Sequence, residues 1–395
     1  MVFTGLSEFD FVAPRKIVFG WGRRTVLREE LPRIGKRAFV ILGSRTLEKA
    51  SVLEELCEFV AQGGVEWQLV TTLHHEPAIE DVDRVAELLR SYGAGAEDIV
   101  VAVGGGSAMD LAKAVAAMAT NCEGASVRDY LENIGRGLKL VRPPLPVVAI
   151  PTTAGTGAEA TRNAVIVCYD PPVKKSLRDD RIMPILAVVD PELTVSNPPR
   201  VTAASGMDAI TQLIESYVTV RRRPIPQMLV PQALRTAFRC LPVAYRNPSD
   251  RSAREGMAFA ALISGMCLAN SGLGLAHGVA AALGAIAQVP HGIACAVMLP
   301  IALEVNRHVC RSELAQLARI ALDCKTPDDD KAVDFLIEKV RGMLTELGIP
   351  DCLRKLRIQS ESIPAIVRES RGSSMSGNPT QLSDTELVKV LEKFF

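Results

Sequence analysis

The 395-residue chain is 48% hydrophobic and 23% charged, which is the range of ordinary globular proteins and long enough for two domains. Its 45 Lys and Arg are matched by 45 Asp and Glu, so no basic field favours nucleic acid or an anionic membrane, and a small soluble substrate is the expected partner. No apolar run reaches the roughly 18 residues of a membrane span, and the opening M-V-F-T-G-L-S-E-F-D lacks the basic start of a signal peptide, so a cytoplasmic protein is expected. The nine cysteines are scattered without a C-x-x-C pair and read as reduced thiols packed as small apolar groups.

Along the first half, short β-branched segments at 16–20 (K-I-V-F-G), 37–42 (R-A-F-V-I-L), 65–71 (V-E-W-Q-L-V-T), 98–103 and 146–150 are bounded by Gly or Pro and read as strands. Helical patterns at 51–62 and 79–92 lie between them. Such alternation predicts a parallel sheet covered on both faces, with ligands bound where strand C-termini open into loops. At one such end, residues 99–119 run from a strand through Gly104, Gly105 and Gly106 into a helix. The glycines let backbone N–H groups approach a phosphate with no Cβ in the way, and the helix points the positive end of its dipole at the same place. Ser107 is expected as an N-cap hydroxyl. The run is neither G-x-G-x-x-G nor G-x-x-x-x-G-K-S/T, so taken alone it also reads as a plain strand-to-helix turn.

After Asp190-Pro191-Glu192 and the N-P-P at 197–199, strand patterns end and helical ones follow at 206–220, 231–241, 253–271, 275–287, 329–347 and 383–393. The chain divides accordingly into an α/β domain at 1–195 and an all-helical domain at 196–395, with a cleft between them as the expected place for a small-molecule site. On the helix from Gly206, Asp208 and Gln212 are four residues apart and share one face, opposite Ile210, Leu213, Ile214 and Tyr217. His277 in G-L-A-H-G and His291 in V-P-H-G are two of only five histidines and sit among small residues that leave room beside the rings. A carboxylate with imidazoles suits zinc or iron, but residues spread over more than eighty positions equally fit core histidines bonded to backbone carbonyls.

Taken together, 104–113 (G-G-G-S-A-M-D-L-A-K), 151–159 (P-T-T-A-G-T-G-A-E), 190–200 (D-P-E-L-T-V-S-N-P-P-R), 206–215 (G-M-D-A-I-T-Q-L-I-E), 274–277, 290–292 and the late N-P at Asn378 resemble the iron-containing, or group III, alcohol dehydrogenases. The motifs stand in the family's order and cover nearly the whole chain. The resemblance implies a dehydroquinate synthase-like fold, with an N-terminal Rossmann-like parallel-sheet α/β domain and an all-α C-terminal domain carrying a divalent metal, Fe2+ or Zn2+. It also implies a homodimer and reversible hydride transfer between a nicotinamide and a small alcohol or aldehyde. By the same resemblance, Gly104, Gly105, Gly106 and Ser107 form the pyrophosphate loop, and Asp110, Thr152, Thr153 and Thr156 line the cofactor. Asn163 stands close to nicotinamide and substrate, and with the metal ligands Asp208, His277 and His291 it makes up the catalytic set.

Two departures qualify this. Gln212 stands where the family usually has a fourth, histidine ligand; its carbonyl is a much weaker partner for zinc or ferrous iron, so it binds metal through oxygen, holds a water that does, or marks an empty site. Ala281, one turn past His277, replaces a second histidine that many members carry near the substrate, so a proton relay through that imidazole is missing.

Cofactor choice is argued from the strand at 37–42, which ends in Leu42-Gly43-Ser44-Arg45. NAD-using relatives often carry Asp where this chain has Gly43. Without that carboxylate, and with Ser44 and Arg45 able to bond a 2'-phosphate, NADP(H) is expected over NAD(H), an ordinary polar turn being the alternative. Arg162 either meets an anionic group on the aldehyde through two parallel bonds or faces solvent. His74 and His75 read as loop groups, and Lys174-Lys175 and Arg221-Arg222-Arg223 as solvated charge runs. Two other readings stay open: a metal-independent reductase of the maleylacetate reductase type, which the lost histidine keeps in play, and a nucleotide-binding protein without catalysis.

Overall fold

The computed structural model describes residues 8–43, 51–356 and 358–395; Ser44 and Arg45, expected at a 2'-phosphate, lie outside the described residues. The chain forms two compact units, one of residues 13–153 and 157–196, the other of residues 197–395 together with 154–156 and the N-terminal segment up to Val12. The sequence alone assigns both of these short segments to the first domain. Val12 belongs with the second because its N–H donates to Asn270 Oδ1 (2.7 Å) and its carbonyl accepts from Asn270 Nδ2 (2.8 Å).

The first unit holds strands β1 (Lys16–Phe19), β2 (Arg37–Leu42), β3 (Glu66–Thr72), β4 (Asp98–Gly104), β5 (Val147–Pro151) and β8 (Leu186–Val189) in a parallel sheet of order β1-β8-β5-β4-β2-β3. The antiparallel hairpin β6 (Asn163–Tyr169) and β7 (Pro172–Arg178) stands apart from it. Helices α1 (Leu27–Glu30), α2 (Ser51–Gln62), α3 (Ile79–Ser91) and α4 (Gly106–Met118) complete the unit. Every residue of β4 and β5 is buried, as in a sheet covered on both faces, and this is why those segments read as unbroken apolar runs. Alternate residues enter opposite cores: Phe39, Ile41, Val100 and Ala102 pack with residues of α3 and α4, while Val40, Leu42, Val101 and Val103 pack with Leu27, Leu56 and Val60.

Strand order reverses between β2 and β4, because the chain runs outward from β2 to β3 and returns to lay β4 on the other side of β2. Loops leaving such a switch point part and open a crevice at the carboxyl ends of the strands. At the far side of the sheet the buried Asp190 carboxylate accepts the N–H groups of Gly22 (2.9 Å) and Arg24 (3.1 Å) and the Arg24 guanidinium (2.9 Å), pinning the end of β8 to the turn after β1.

The second unit is helical: α5 (Pro199–Val218), α6 (Pro224–Arg246), α7 (Arg251–Ser271), α8 (Leu275–Ala287), α9 (His291–Asn306), α10 (Arg311–Leu322), α11 (Asp329–Glu346), α12 (Ile363–Glu369) and α13 (Asp384–Lys393). Its core includes Met207, Leu213, Leu234, Leu299 and Leu336. The segmentation read from sequence misses α1, β6, β7, β8, α9, α10 and α12. The physical reasons are specific. Helix α9 is apolar and buried almost all round, so no helical stripe marks it, and Pro300 lies inside it. Pro231, which opens a predicted helix at 231–241, is an interior residue of the longer α6, as is Pro242. Strand β8 is only four residues long. Among the described residues no single helix is long and apolar enough to cross a membrane.

Candidate active site

In the α/β unit the C-terminal ends of β2 and β4 meet backbone to backbone. A Cβ on Gly43 would lie 2.9 Å from the Gly104 Cα, and one on Gly104 would lie 2.7 Å from the Gly43 Cα and 2.8 Å from the Ala108 Cβ. Only glycine pairs allow that approach, so a side chain at 43 would wedge the two strand ends apart. Helix α4 then starts at Gly106 with Gly105 as its N-cap and no side chain capping it. Ser107 therefore lies inside the first turn and is not the N-cap, which corrects the sequence expectation. Thr153 borders this turn, since a Cβ on Gly105 would come within 3.2 Å of its Oγ1, and the Thr152 N–H donates to the Gly104 carbonyl (2.9 Å). Helix N–H groups behind a surface cleared of Cβ atoms form a cradle that fits a dinucleotide diphosphate.

Behind that cradle Lys113 is fully buried. Its ammonium donates to the Ala158 carbonyl (3.0 Å), Thr161 Oγ1 (2.9 Å) and the Asn163 carbonyl (2.5 Å), and pairs with Asp110 Oδ1 (3.1 Å). Asp110 Oδ2 accepts the Val165 N–H (3.1 Å). Asp110, expected at the cofactor, thus has both oxygens engaged in holding β6 to α4. Burial pulls the Lys113 pKa down against the attraction of Asp110, and burial pushes the Glu159 carboxyl up to about 7. Asn163 opens β6, buried, and its Oδ1 has no hydrogen-bond partner among the described residues, which leaves an acceptor for a bound group. The neighbouring Arg162 is ion-paired with Asp180.

In the helical unit three helices bring side chains distant in sequence to one point. Asp208 lies in α5, His277 in the first turn of α8, and His291 and Cys295 in the first turns of α9. One ligand atom from each lies within 4.8 Å of those from the other three. His277 Nε2 is 3.1 Å and His291 Nε2 3.7 Å from Asp208 Oδ1, and Cys295 Sγ is 3.6 Å from His291 Nε2. Asp208, His277 and Cys295 are buried, whereas about a third of the His291 side chain (34%) is exposed. Such a set of one carboxylate, two imidazoles and a thiol fits a divalent transition metal.

Glu215, two turns along α5 from Asp208, fixes the start of α8. Its carboxylate accepts the N–H of Ala276 (2.6 Å) and takes His277 Nδ1 at 2.7 Å, while Asn378 Oδ1 accepts the Leu275 N–H (3.1 Å). A Cβ on the N-cap Gly274 would sit 2.9 Å from Glu215 Oε1, so glycine is what lets this carboxylate reach the helix end. A carboxylate on the far nitrogen sets the His277 ring and tautomer and leaves Nε2 for a metal. Gln212 is differently employed: Ser264 Oγ donates to its Oε1 (2.6 Å), and its Nε2 donates to the carbonyl of Thr156 (3.3 Å). Thr156, expected to line the cofactor, is thereby held to α5 by its backbone.

Burial opposes charge on both histidines, but the Cys295 sulfur and Asp208 outweigh it, with Glu215 adding to the effect at His277. His277 is raised well above the usual imidazole range and His291 to about 9. Asp208, although burial alone would raise it, is held below the usual carboxylate range by His291 and His277. The pocket is built to hold positive charge.

A sequence model described as iron-containing alcohol dehydrogenase matches residues 14–191, and one for the C-terminal part of the Fe-containing alcohol dehydrogenase family matches residues 202–395. The chain belongs to the iron-containing alcohol dehydrogenase family. As a member it is a metal-dependent, NAD(P)-linked oxidoreductase of alcohols and aldehydes. It is 32% identical over 391 residues to the NADPH-dependent butanol dehydrogenase of Clostridium saccharobutylicum, covering 97% of each chain. Among solved structures, that of a 1,3-propanediol oxidoreductase matches with a TM-score of 0.91 at 28% identity, over 98% of this chain and 100% of that one. The sulfoacetaldehyde reductase of Bifidobacterium kashiwanohense, solved in complex with NAD+, matches with a TM-score of 0.86 at 29% identity, over 98% and 99% of the two chains.

Two residues of this family member's site escape a reading of the sequence. Cys295 reads as one of the packing cysteines, although its place four residues after His291 puts both on one helical face. Glu215 stood inside a matched motif, seven residues from Asp208, with nothing local to pair it with a histidine over sixty positions away.

Proposed function

We propose that the chain reduces small uncharged aldehydes to alcohols, and runs the reverse, with NADP(H) as its preferred coenzyme and Asp208, His277 and His291 as metal ligands. The observation that carries this is the convergence of those three side chains from α5, α8 and α9. When bound there, a divalent cation supplies Lewis-acid polarisation of the carbonyl and stabilises the charge that develops on its oxygen. Glu215 aims the His277 ring. Asn163 offers its open carbonyl oxygen to a bound group, and the glycine cradle with the N-terminus of α4 takes the coenzyme diphosphate.

Preference for NADP(H) is supported by Gly43, where neither a carboxylate nor any other side chain has room to repel a 2'-phosphate. An uncharged substrate is supported by the pairing of Arg162 with Asp180, which matches the one cation the sequence offered to an anionic group. A homodimer in the cytoplasm belongs to the same reading. It is supported by Trp67 and Leu69, exposed on one face of the edge strand β3, and by nine free thiols.

The test is oxidation of NADPH by a panel of short aldehydes before and after chelation. Activity that falls on chelation and returns with a divalent metal supports the proposal. Activity indifferent to chelation returns the metal-independent reductase reading, and a lower KM for NADH than for NADPH overturns the coenzyme preference.

A further inference from the structure

Gln212 leaves the metal site one imidazole short of the family pattern, and the helical unit offers a thiol close by. Cys295 follows His291 by one turn on the same face of α9, fully buried, with its sulfur 3.6 Å from His291 Nε2. We infer that Cys295 is the fourth protein donor to the metal, beside Asp208, His277 and His291, in a donor set that suits zinc. The inference rests on the metal-dependent reading above and adds to it the identity of a ligand.

Geometry carries it. Zinc bonds of about 2.0–2.1 Å to nitrogen or oxygen and about 2.3 Å to sulfur place the donors of a tetrahedron about 3.3–3.6 Å apart. The measured edges are 3.1 Å from His277 Nε2 to Asp208 Oδ1, 3.7 Å from His291 Nε2 to the same oxygen, and 3.6 Å from Cys295 Sγ to His291 Nε2. A cation at the middle of the four needs shifts of a few tenths of an ångström along these three edges, the other donor pairs lying within 4.8 Å, and expansion to five-coordination leaves a place for a substrate oxygen. Gln212, by contrast, has its carbonyl oxygen bound by Ser264 and its amide nitrogen bound to the Thr156 carbonyl, so its side chain serves to fasten α5 to α7 and to the 154–156 segment.

Chemistry points the same way. Thiolate is a soft donor that favours zinc over the hard divalent ions.

The experiment is metal-edge X-ray absorption on the zinc-loaded protein and electronic absorption on its cobalt-substituted form, for wild type and Cys295→Ser. The expected result is one sulfur scatterer at about 2.3 Å and a near-ultraviolet thiolate-to-cobalt band in wild type. Both should be lost in Cys295→Ser, with zinc affinity weakened by at least about 100-fold, more than the loss of an outer-shell partner costs. A wild-type spectrum of nitrogen and oxygen scatterers alone overturns the inference without touching the metal-dependent reading, and needs no variant to fold. An unchanged cobalt band in Cys295→Ser overturns it as well. Failure of the wild type to bind zinc or cobalt at all overturns both.

Discussion

The two units prepare for ligands by opposite means. The α/β unit does it with backbone: Gly43 and Gly104 touching at the switch point, a glycine N-cap and the N-terminus of α4. The helical unit does it with side chains carried on three helices, Asp208, His277, His291 and Cys295, and supported from behind by Glu215. A backbone site is written in one short stretch of sequence, and changing one side chain leaves most of it standing. A side-chain site is scattered through the sequence and fails when a single member is lost.

The sharpest way to break this contrast is Asp208→Ala. Removing the carboxylate shared by both histidines should abolish metal content and lower kcat by several kcal/mol of lost charge stabilisation, about three decades, while NADPH binding followed by fluorescence stays near the wild-type value. Loss of NADPH binding in that variant would show that the two kinds of site are not separable.

Next in size is Lys113→Met in the α/β unit. It strips the buried partner from Asp110 and the tether from Ala158, Thr161 and Asn163, and should cost about 3–5 kcal/mol of unfolding free energy in a denaturant titration. Near-wild-type stability would show that this cluster is not what holds β6 to α4.

Glu215→Gln refines the comparison within the helical unit. It keeps the size of the side chain but removes the charge behind His277, so metal affinity measured by competition with a chelator should weaken about 10- to 100-fold, with kcat largely retained at saturating metal. Equal losses at all metal concentrations would mean that Glu215 acts on the fold of α8 and not on the ligand.

The smallest effect is a pH dependence confined to the sheet. Burial would raise the Asp98 pKa, but two bonds from Arg37 (2.8 Å each) and one from the Gly95 N–H hold it below the usual carboxylate range. Its folded pKa lies below the unfolded one, so the stabilisation is present above about pH 4 and is lost as pH falls through the folded value. Asp98→Asn should cost about 1 kcal/mol at neutral pH and progressively less in acid, with metal content unchanged. A cost that persists in acid would assign the effect to packing.

How much of this was legible follows from the same contrast. The unbroken apolar runs of β4 and β5, the glycine turn between β4 and α4, and the spacing of Asp208 and Gln212 on one helix are local, and local periodicity and backbone freedom can be read from consecutive residues. Helix α9 is not legible in the sequence, because a helix buried almost all round carries no stripe, and a cysteine within it reads as a packing residue. The N-cap is Gly105, two residues before Ser107, because the glycine run offers no side chain by which to tell cap from first turn.

By itself, the sequence determined the family, the parallel-sheet and helical halves, and which polar residues were available for chemistry. Only the tertiary structure decided which of them meet. It joined Cys295 to Asp208 and the two histidines, set Glu215 behind His277, and turned Gln212 toward Ser264 and Thr156. The reason is physical: apart from the pairing of Cys295 with His291, those contacts join residues far apart in sequence, and each partner is chosen by how buried helices pack, a quantity to which no short window of sequence has access.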